Sequence, residues 1–235
     1  MIYFIHIPKC SGTTFQNILK ENFNYYRISE YKYPWGNWQK QKYKTDGIGG
    51  HFYFKSIPEL PGSPGPVFTF LREPIARTIS LFHFTHPDPE PGRNIIEWLD
   101  IPNTHYKNNC ITRFFSLDYY ADKNRPLTEN DYETAVNNLE ECNVGITEMF
   151  DESVLNFRFR YSKIFWRDTG YIETANVGKY NRNKKLTNQE LDAVKHHNRF
   201  DMRLYLRAVD LFWEQKKIAK KAKELAVWMR ENLRR

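Results

Sequence analysis

A loop near the amino terminus carries the residue types needed to hold an anion. The apolar run IYFIHI (residues 2–7) leads into PKCSGTT (8–14), and a helix-type pattern follows. Backbone N–H groups at the start of a helix lack partners within the helix, and the helix dipole adds partial positive charge there. Gly12 lets the chain approach a ligand closely, and Lys9 supplies a cation. The sequence therefore predicts a phosphate- or sulfate-binding loop with three hydroxyl donors, Ser11, Thr13 and Thr14.

The position of the lysine distinguishes this loop from the nucleoside-triphosphate P-loop. That motif reads G-x-x-x-x-G-K-[ST], with the lysine directly after the second glycine. When the two patterns are aligned on Gly12, Thr13 takes the place of that lysine and Ile7 the place of the first glycine. The lysine of this chain is Lys9, three residues before the glycine. By itself, this short pattern also fits an ordinary strand–loop–helix turn with a solvated lysine.

A second strand–helix boundary predicts another anion contact. Arg72 directly follows the apolar run VFTFL (67–71), and a helix-type pattern begins at about Pro74. Open α/β sheets bind ligands at the carboxyl ends of their strands. Arg77 and Ser80 are three residues apart and share a helix face, so with Arg72 they could hold a second phosphate. A structural salt bridge of Arg72 and simple packing of Ser80 are the alternative.

Strand and helix patterns alternate along the chain, which predicts an α/β fold. We expect one domain over residues 1–235, a P-loop-like three-layer sandwich in which helices flank a central parallel sheet. Residues 24–50 lack a clear periodicity and predict a long loop over the top of the sheet. Further elements are predicted as helices at 131–142, 149–160 and 188–213, and as strands at 143–147 and 161–166.

Composition narrows the class of protein. The 235 residues are 40% hydrophobic and 16% aromatic, enough for one domain with a buried sheet. The chain has no run of 18 apolar residues, and the strand pattern that starts at Ile2 leaves no room for a signal peptide. The three cysteines show no metal-ligand spacing. These features predict a cytoplasmic protein, although a trimmed domain of a secretory-pathway enzyme would look similar.

The last 22 residues, 214–235, predict a basic amphipathic helix. They contain eight Lys or Arg residues and three Glu residues, in a chain of net charge +7. Apolar residues recur there at helical spacing: Ile218, Ala222, Leu225, Met229 and Leu233. We expect a solvated terminal helix packed on the domain, with contact to nucleic acid or a membrane surface as the less favoured alternative.

The two anion-binding patterns together resemble the motifs of the sulfotransferases that use 3′-phosphoadenosine 5′-phosphosulfate (PAPS). The likeness is to the carbohydrate-type branch that includes heparan sulfate 2-O-sulfotransferase. The family loop P-K-[TCA]-[GAS]-[GS]-T-[ST]-[FL] corresponds to PKCSGTTF (8–15), and the family motif R-x-P-x-x-R-x-x-S to REPIARTIS (72–80). Two later stretches, NVGITEMFDESV (143–154) and HNRFDMRLYLRAVDLF (197–212), also resemble family segments, so the resemblance covers nearly the whole chain.

The resemblance implies roles for these residues. The first loop would hold the 5′-phosphosulfate of PAPS through Lys9, Ser11, Gly12, Thr13 and Thr14. The second motif would hold the 3′-phosphate through Arg72, Arg77 and Ser80. The run KYNRNKK (179–185) lies where the family has a loop that closes over the nucleotide, so Arg182 and Lys184 are further candidate contacts, with a solvated turn as the alternative. No metal is implied, because fixed cations neutralise the developing charge.

The resemblance also identifies a candidate base. GHFYF (50–54) is similar to the G-H-[FV] stretch that carries the catalytic histidine of the 2-O branch, which makes His51 the base and Lys9 the cation at the leaving oxygen. From the residues alone, a histidine beside an aromatic strand is more often a packing residue. The 2-O enzymes have a second histidine two residues earlier, where this chain has Gly49. The role of that second histidine, to assist the base, therefore falls to His105 or to no residue of this chain.

The expected reaction is transfer of a sulfuryl group from PAPS to an acceptor hydroxyl, releasing PAP. The resemblance favours a saccharide acceptor, and aromatic residues of 25–43, among them Trp35 and Trp38, could stack on sugar rings or pack beneath a loop. Two rival functions remain open. A P-loop kinase would use the same strand–loop–helix with a late lysine and a metal-binding Asp, and a non-catalytic nucleotide- or nucleic-acid-binding module would not need His51.

Overall fold

Five parallel strands form a central sheet in the computed structural model. The structure describes residues 1–24, 26–29, 46–60, 65–86, 94–101, 105–118, 121–162 and 186–232. The strands are β1 (Ile2–Ile5), β2 (Tyr26–Ser29), β3 (Gly47–Gly50), β4 (Val67–Leu71) and β5 (Cys142–Ile146). Their order is β2-β3-β1-β4-β5, so β1 lies in the middle, between β3 and β4. All carboxyl ends therefore meet at one edge of the sheet.

Eight helices are present in the described ranges. They are α1 (Gly12–Asn22), α2 (Pro74–Thr85), α3 (Ile95–Asp100), α4 (Cys110–Ser116), α5 (Glu129–Glu140), α6 (Phe150–Arg160), α7 (Asn188–His197) and α8 (Arg199–Asn232). Short 3-10 helices span Phe54–Glu59 and Thr147–Met149.

Aromatic side chains fasten helices α1 and α6 to the sheet. The ring of Phe15 in α1 lies 4.9 Å from the ring of Phe70 in β4, and Phe157 of α6 lies 5.7 Å from the same ring. All three side chains are buried. Burial of such large apolar surfaces is the main force that fixes a helix on a sheet. The start of α1, and with it the first loop, is thereby held against the centre of the sheet.

Helix α8 closes the β5 edge. Gln215 accepts a hydrogen bond from the backbone N–H of Val144 at 3.1 Å and donates one to the carbonyl of Cys142 at 2.8 Å. The amide side chain thus takes the place of a neighbouring strand and satisfies backbone groups that an edge strand leaves unpaired.

The predicted α/β class is confirmed, with helices around an all-parallel central sheet. The strand at 67–71 has the predicted bounds, and α2 begins at the predicted Pro74. The predicted helices at 131–142 and 149–160 and the strand at 143–147 appear as α5, α6 and β5, each displaced by one or two residues.

Four predictions of local structure were wrong in whole or in part. The stretch 24–50 contains two strands, because β3 pairs with β1 and β2 pairs with β3, and this backbone pairing stabilises segments too short to show a pattern. The aromatic strand predicted beside His51 is absent: His51 follows the strand GIGG (47–50), and the next residues lead into the 3-10 helix Phe54–Glu59. The predicted helix 188–213 is divided at Asn198. Of the predicted strand 161–166, residues 161–162 form a turn and the remainder lies outside the described residues.

The predicted basic terminal helix continues α8, which runs to Asn232. Ile218 is 62% exposed, so the prediction that it belongs to the apolar face was wrong. The buried stripe of α8 instead passes through Phe212, Gln215 and Ala219. None of the helices in the described ranges is long and apolar enough to cross a membrane.

Candidate functional site

The loop between β1 and α1 has an unusual backbone. Lys9 and Ser11 both have positive φ angles, 68° and 58°, which non-glycine residues rarely adopt. Alternating conformations of this kind turn successive N–H groups toward one point and form anion-binding concavities. The Ser11 side chain makes no capping hydrogen bond to α1, and no acidic residue lies in the first turn of this helix. The start of α1 is therefore suited to a negatively charged ligand.

The second boundary, between β4 and α2, is different. The carboxylate of Glu73 accepts hydrogen bonds from the N–H groups of Ile75 and Ala76, at 3.0 and 2.7 Å. The first turn of α2 is thus capped by the protein's own negative charge. Backbone donors at this helix start are already used, so anion binding there would depend on side chains.

Arg72, at the second boundary, contacts the loop at the first boundary. Its Nη1 donates to the carbonyl of Lys9 at 3.4 Å, across neighbouring strands β4 and β1. The side chain of Arg72 is half-buried. Two cationic side chains, Lys9 and Arg72, therefore lie at one loop, whereas the sequence assigned them to two separate anion sites.

Arg77 lies in the interior. It was predicted as a phosphate ligand, and its side chain is completely buried. Its Nη2 donates to the carbonyl of Tyr106 at 2.7 Å. Burial disfavours its charge, yet the thiols of Cys110 and Cys10 and the carboxylate of Asp201 raise the pKa of Arg77 overall. Its Nε and Nη1 have no hydrogen-bond partner among the described residues, so the predicted phosphate contact stays a prediction.

The other predicted ligands differ in accessibility. Ser80 and Thr14 are buried, at 4% and 2% exposure, whereas Thr13 is exposed and Ser11 is half-buried. Lys9 extends toward the end of α2, where its Nζ lies 4.0 Å from the centre of the exposed Phe84 ring. Burial, and then the charge of Arg72, lower the pKa of Lys9.

His51 lies beside this loop. Its Nδ1 is 2.5 Å from the carbonyl oxygen of His6, the residue that follows β1. A carbonyl only accepts, so Nδ1 carries the hydrogen and Nε2 has the free lone pair. The His6 and His51 rings are 4.4 Å apart at their centroids. The structure thus gives the predicted base a fixed tautomer in which Nε2 can accept a proton.

His6 also touches the loop itself. A Cβ atom built on Gly12 would lie 1.9 Å from Cδ2 of the His6 ring, so only glycine leaves room for this ring. The sequence predicted that Gly12 makes space for a ligand. In the structure its lack of a side chain makes space for His6.

Both histidines are kept neutral. Burial, followed by the charges of His51 and Lys9, lowers the pKa of His6 to about 3. Burial lowers the pKa of His51 as well, against the opposing effect of the hydrogen bond to the His6 carbonyl. A general base must be unprotonated to act, and a lowered pKa keeps His51 in that form at neutral pH.

Sequence reasoning missed His6. It left a helper role to His105, whose ring lies 4.0 Å from that of Tyr106 and whose pKa is lowered to about 4 by burial, Lys123 and Arg113. The signal for His6 was its place directly after β1. In the parallel pair of β1 and β3, Ile5 is aligned with Gly50, so the next residues, His6 and His51, emerge side by side.

Some predicted contacts fall outside the described residues. They are Arg182, Lys184, Trp35 and Trp38.

Comparison with known proteins does not assign a family to this chain. No protein-family model matches the sequence, and a search of curated proteins finds no match.

Proposed function

We propose that this protein is a sulfotransferase that moves a sulfuryl group from PAPS to an acceptor hydroxyl. The acceptor that the motif resemblance favours is a saccharide. The observation that carries the proposal is the position of His51 beside the Lys9 loop, with Nδ1 bound to the His6 carbonyl. A neutral base, a cation and an anion-binding loop at one sheet edge are the parts that in-line group transfer requires. The motif resemblance supports PAPS as the donor.

In the proposed reaction, Nε2 of His51 takes the proton of the acceptor hydroxyl. The acceptor oxygen forms a bond to sulfur as the bond between sulfur and the bridging oxygen breaks, and the electron pair of that bond leaves with PAP. Lys9 stabilises the negative charge on the bridging oxygen. Ser11, Thr13 and the backbone of the loop would hold the equatorial sulfuryl oxygens. Positioning and electrostatics do most of the work, as in phosphoryl transfer.

Arg72 is the best-placed side chain for the 3′-phosphate of PAPS. It is half-buried, and it already contacts the Lys9 carbonyl. Ser80 is on the same helix that begins beside Arg72 and is a second candidate, although it is buried before any ligand binds. Arg77 is on the buried side of this helix and holds it in place by a hydrogen bond to the carbonyl of Tyr106.

Binding of PAP tests the donor assignment. PAP should raise the melting temperature and bind in the micromolar range by calorimetry, and Lys9→Ala or Arg72→Ala should weaken binding about tenfold or more. Lys55→Ala is the matched control, because Lys55 is an exposed lysine in the 3-10 helix Phe54–Glu59 and has no role in the site. Protection by ATP with Mg²⁺ or by RNA, but not by PAP, would reject the proposal in favour of a kinase or a nucleic-acid-binding module.

Transfer from PAPS tests the chemistry. His51→Ala should keep the PAP affinity of the parent and lose turnover by about 100-fold or more, as expected for loss of a general base. The assay needs a panel of sugar, phenol, lipid-alcohol and peptide acceptors, because the acceptor is the least constrained part of the proposal. Unchanged turnover in His51→Ala would remove this residue from the mechanism.

A further inference from the structure

The ring of His6 is in contact with three parts of the site. It stacks on Phe4 of β1, with ring centroids 5.7 Å apart and planes 17° apart. It lies 4.4 Å from the ring of His51. It also fills the space above Gly12 at the start of α1. The half-buried ring of His6 therefore lies between the anion-binding loop and the base.

This arrangement limits where His51 can be. The main-chain carbonyl of His6 fixes Nδ1 of His51, while the side chain of His6 supports the face of the same ring. Close-packed groups of this kind transmit a displacement instead of absorbing it. If the His6 ring were removed, His51 could rotate toward the space above Gly12, and water could enter beside it.

The charged and titratable neighbours of this pair are few. Among the described residues, Lys9 on the loop and His51 after β3 act on His6, and His6 is the group that acts on His51. The ring of His6 is neutral at neutral pH, so its influence on His51 comes from packing and exclusion of water. The ring of phenylalanine should therefore keep His51 in place as the His6 ring does, whereas the methyl group of alanine should not.

We propose that His6 is a positioning residue, whose ring sets the orientation of His51 relative to the Gly12 loop and keeps Nε2 of His51 available as the proton acceptor. This proposal rests on the proposed transfer reaction. It adds a residue that touches neither donor nor acceptor and acts through His51.

Nuclear magnetic resonance on the protein without ligand tests the proposal separately from catalysis. In His6→Ala, the titration of the His51 ring should move up toward 6.5, because burial of His51 is reduced. In His6→Phe it should stay close to that of the parent. His105→Ala, which removes another half-buried histidine, is the control and should leave the His51 titration unchanged.

Kinetics supply the second measurement. His6→Ala should lower kcat about 10- to 100-fold, with the KM for PAPS within about threefold of the parent, because misplacement of a base has costs of this size. His6→Phe should recover most of that loss. The acid limb of the pH profile should move with the His51 titration in each variant.

The outcomes distinguish this proposal from the proposed function. A His51 titration in His6→Ala that superimposes on the parent curve would overturn the role of His6, as would failure of His6→Phe to restore it. If the parent transfers no sulfuryl group to any acceptor, the proposed function fails, and the titrations still decide whether His6 controls His51. Binding of PAP by each variant, together with its melting curve, reports that the fold is intact.

Discussion

Asn109 and Asp201 each cap the helix that carries the other. The carboxylate of Asp201, in the first turn of α8, accepts hydrogen bonds from the backbone N–H groups of Ile111 and Thr112 at 2.9 and 2.8 Å. In return, Oδ1 of Asn109, at the start of α4, accepts from the N–H groups of Phe200 and Asp201. Two helix starts about 90 residues apart in sequence are thereby joined and freed of unpaired donors.

Loss of either cap should destabilise the fold. Asp201→Ala and Asn109→Ala should each lower the free energy of unfolding by about 1–3 kcal/mol, since each leaves buried backbone donors unsatisfied. The double variant should lose less than the sum, because the two residues act on one junction. Urea unfolding measures these values. Asp210→Ala on the exposed side of α8 is the control and should stay within about 0.5 kcal/mol of the parent.

Arg77 and Arg72 should respond in opposite ways to the same substitution. Arg77→Lys breaks the buried bond to the Tyr106 carbonyl and should cost about 2–4 kcal/mol of stability, with little change in PAP affinity of the folded protein. Arg72→Lys should cost little stability, but it should weaken PAP binding about fivefold to tenfold, because lysine cannot form the same paired hydrogen bonds. Urea unfolding and calorimetry give both numbers for each variant. Tenfold weaker PAP binding in Arg77→Lys at unchanged stability would instead identify Arg77 as a ligand of PAP.

The elements with strong local signals were predictable from the sequence. VFTFL is apolar and rich in residues that favour strands, and Pro74 marks a helix start, so β4 and α2 were found. β2 and β3 were missed because their strand state depends on pairing: GIGG has no strand preference of its own, and its position beside β1 stabilises it. Asn198 divides α7 from α8 at a point where the helix pattern itself continues.

The site was predictable where chemistry is carried by neighbours in sequence and not where it is assembled across strands. Lys9, Ser11 and Gly12 lie in one loop, so their proximity follows from the chain itself. The pairing of His6 with His51 depends on β3 lying next to β1, which no local pattern fixes.

Arg77 illustrates a signal that was present in the sequence. Pro74, Arg77, Thr78 and Leu81 recur at the spacing of one buried helix face, and the structure buries all four. That spacing predicts burial of Arg77, of which only Nη2 has a hydrogen-bond partner among the described residues, the Tyr106 carbonyl.

The pair formed by Arg125 and Asp131 should make stability sensitive to acid. Two hydrogen bonds of 2.8 and 2.6 Å join the guanidinium to the carboxylate, which also caps α5 through Thr128. The Arg125 hydrogen bonds hold the pKa of Asp131 well below its usual value near 3.8. A lowered pKa in the folded state gives stability that is present above the unfolded pKa and is lost as the pH falls toward the folded one.

Asp131→Asn should therefore be less stable than the parent at pH 7 and should lose less further stability between pH 5 and pH 3, the window where the unfolded carboxyl takes up its proton. Urea unfolding at several pH values measures the difference between the two slopes. Asp210→Asn should reproduce the parent slope. Parallel slopes for Asp131→Asn and the parent would contradict the assignment of acid sensitivity to this pair.

The acid limb of transfer activity should lie below pH 6.5. His51 acts as a base only when its imidazole is neutral, and burial lowers its pKa below the ordinary 6.5, although the His6 carbonyl opposes this. Because kcat/KM reports the pKa of the free enzyme, its profile should rise with pH through that lowered value and then level off. His105→Ala should leave the acid limb in place, since His105 lies by Tyr106 and titrates in its own environment. An acid limb centred above 6.5, or one that moves in His105→Ala, would assign the proton transfer to a group other than His51.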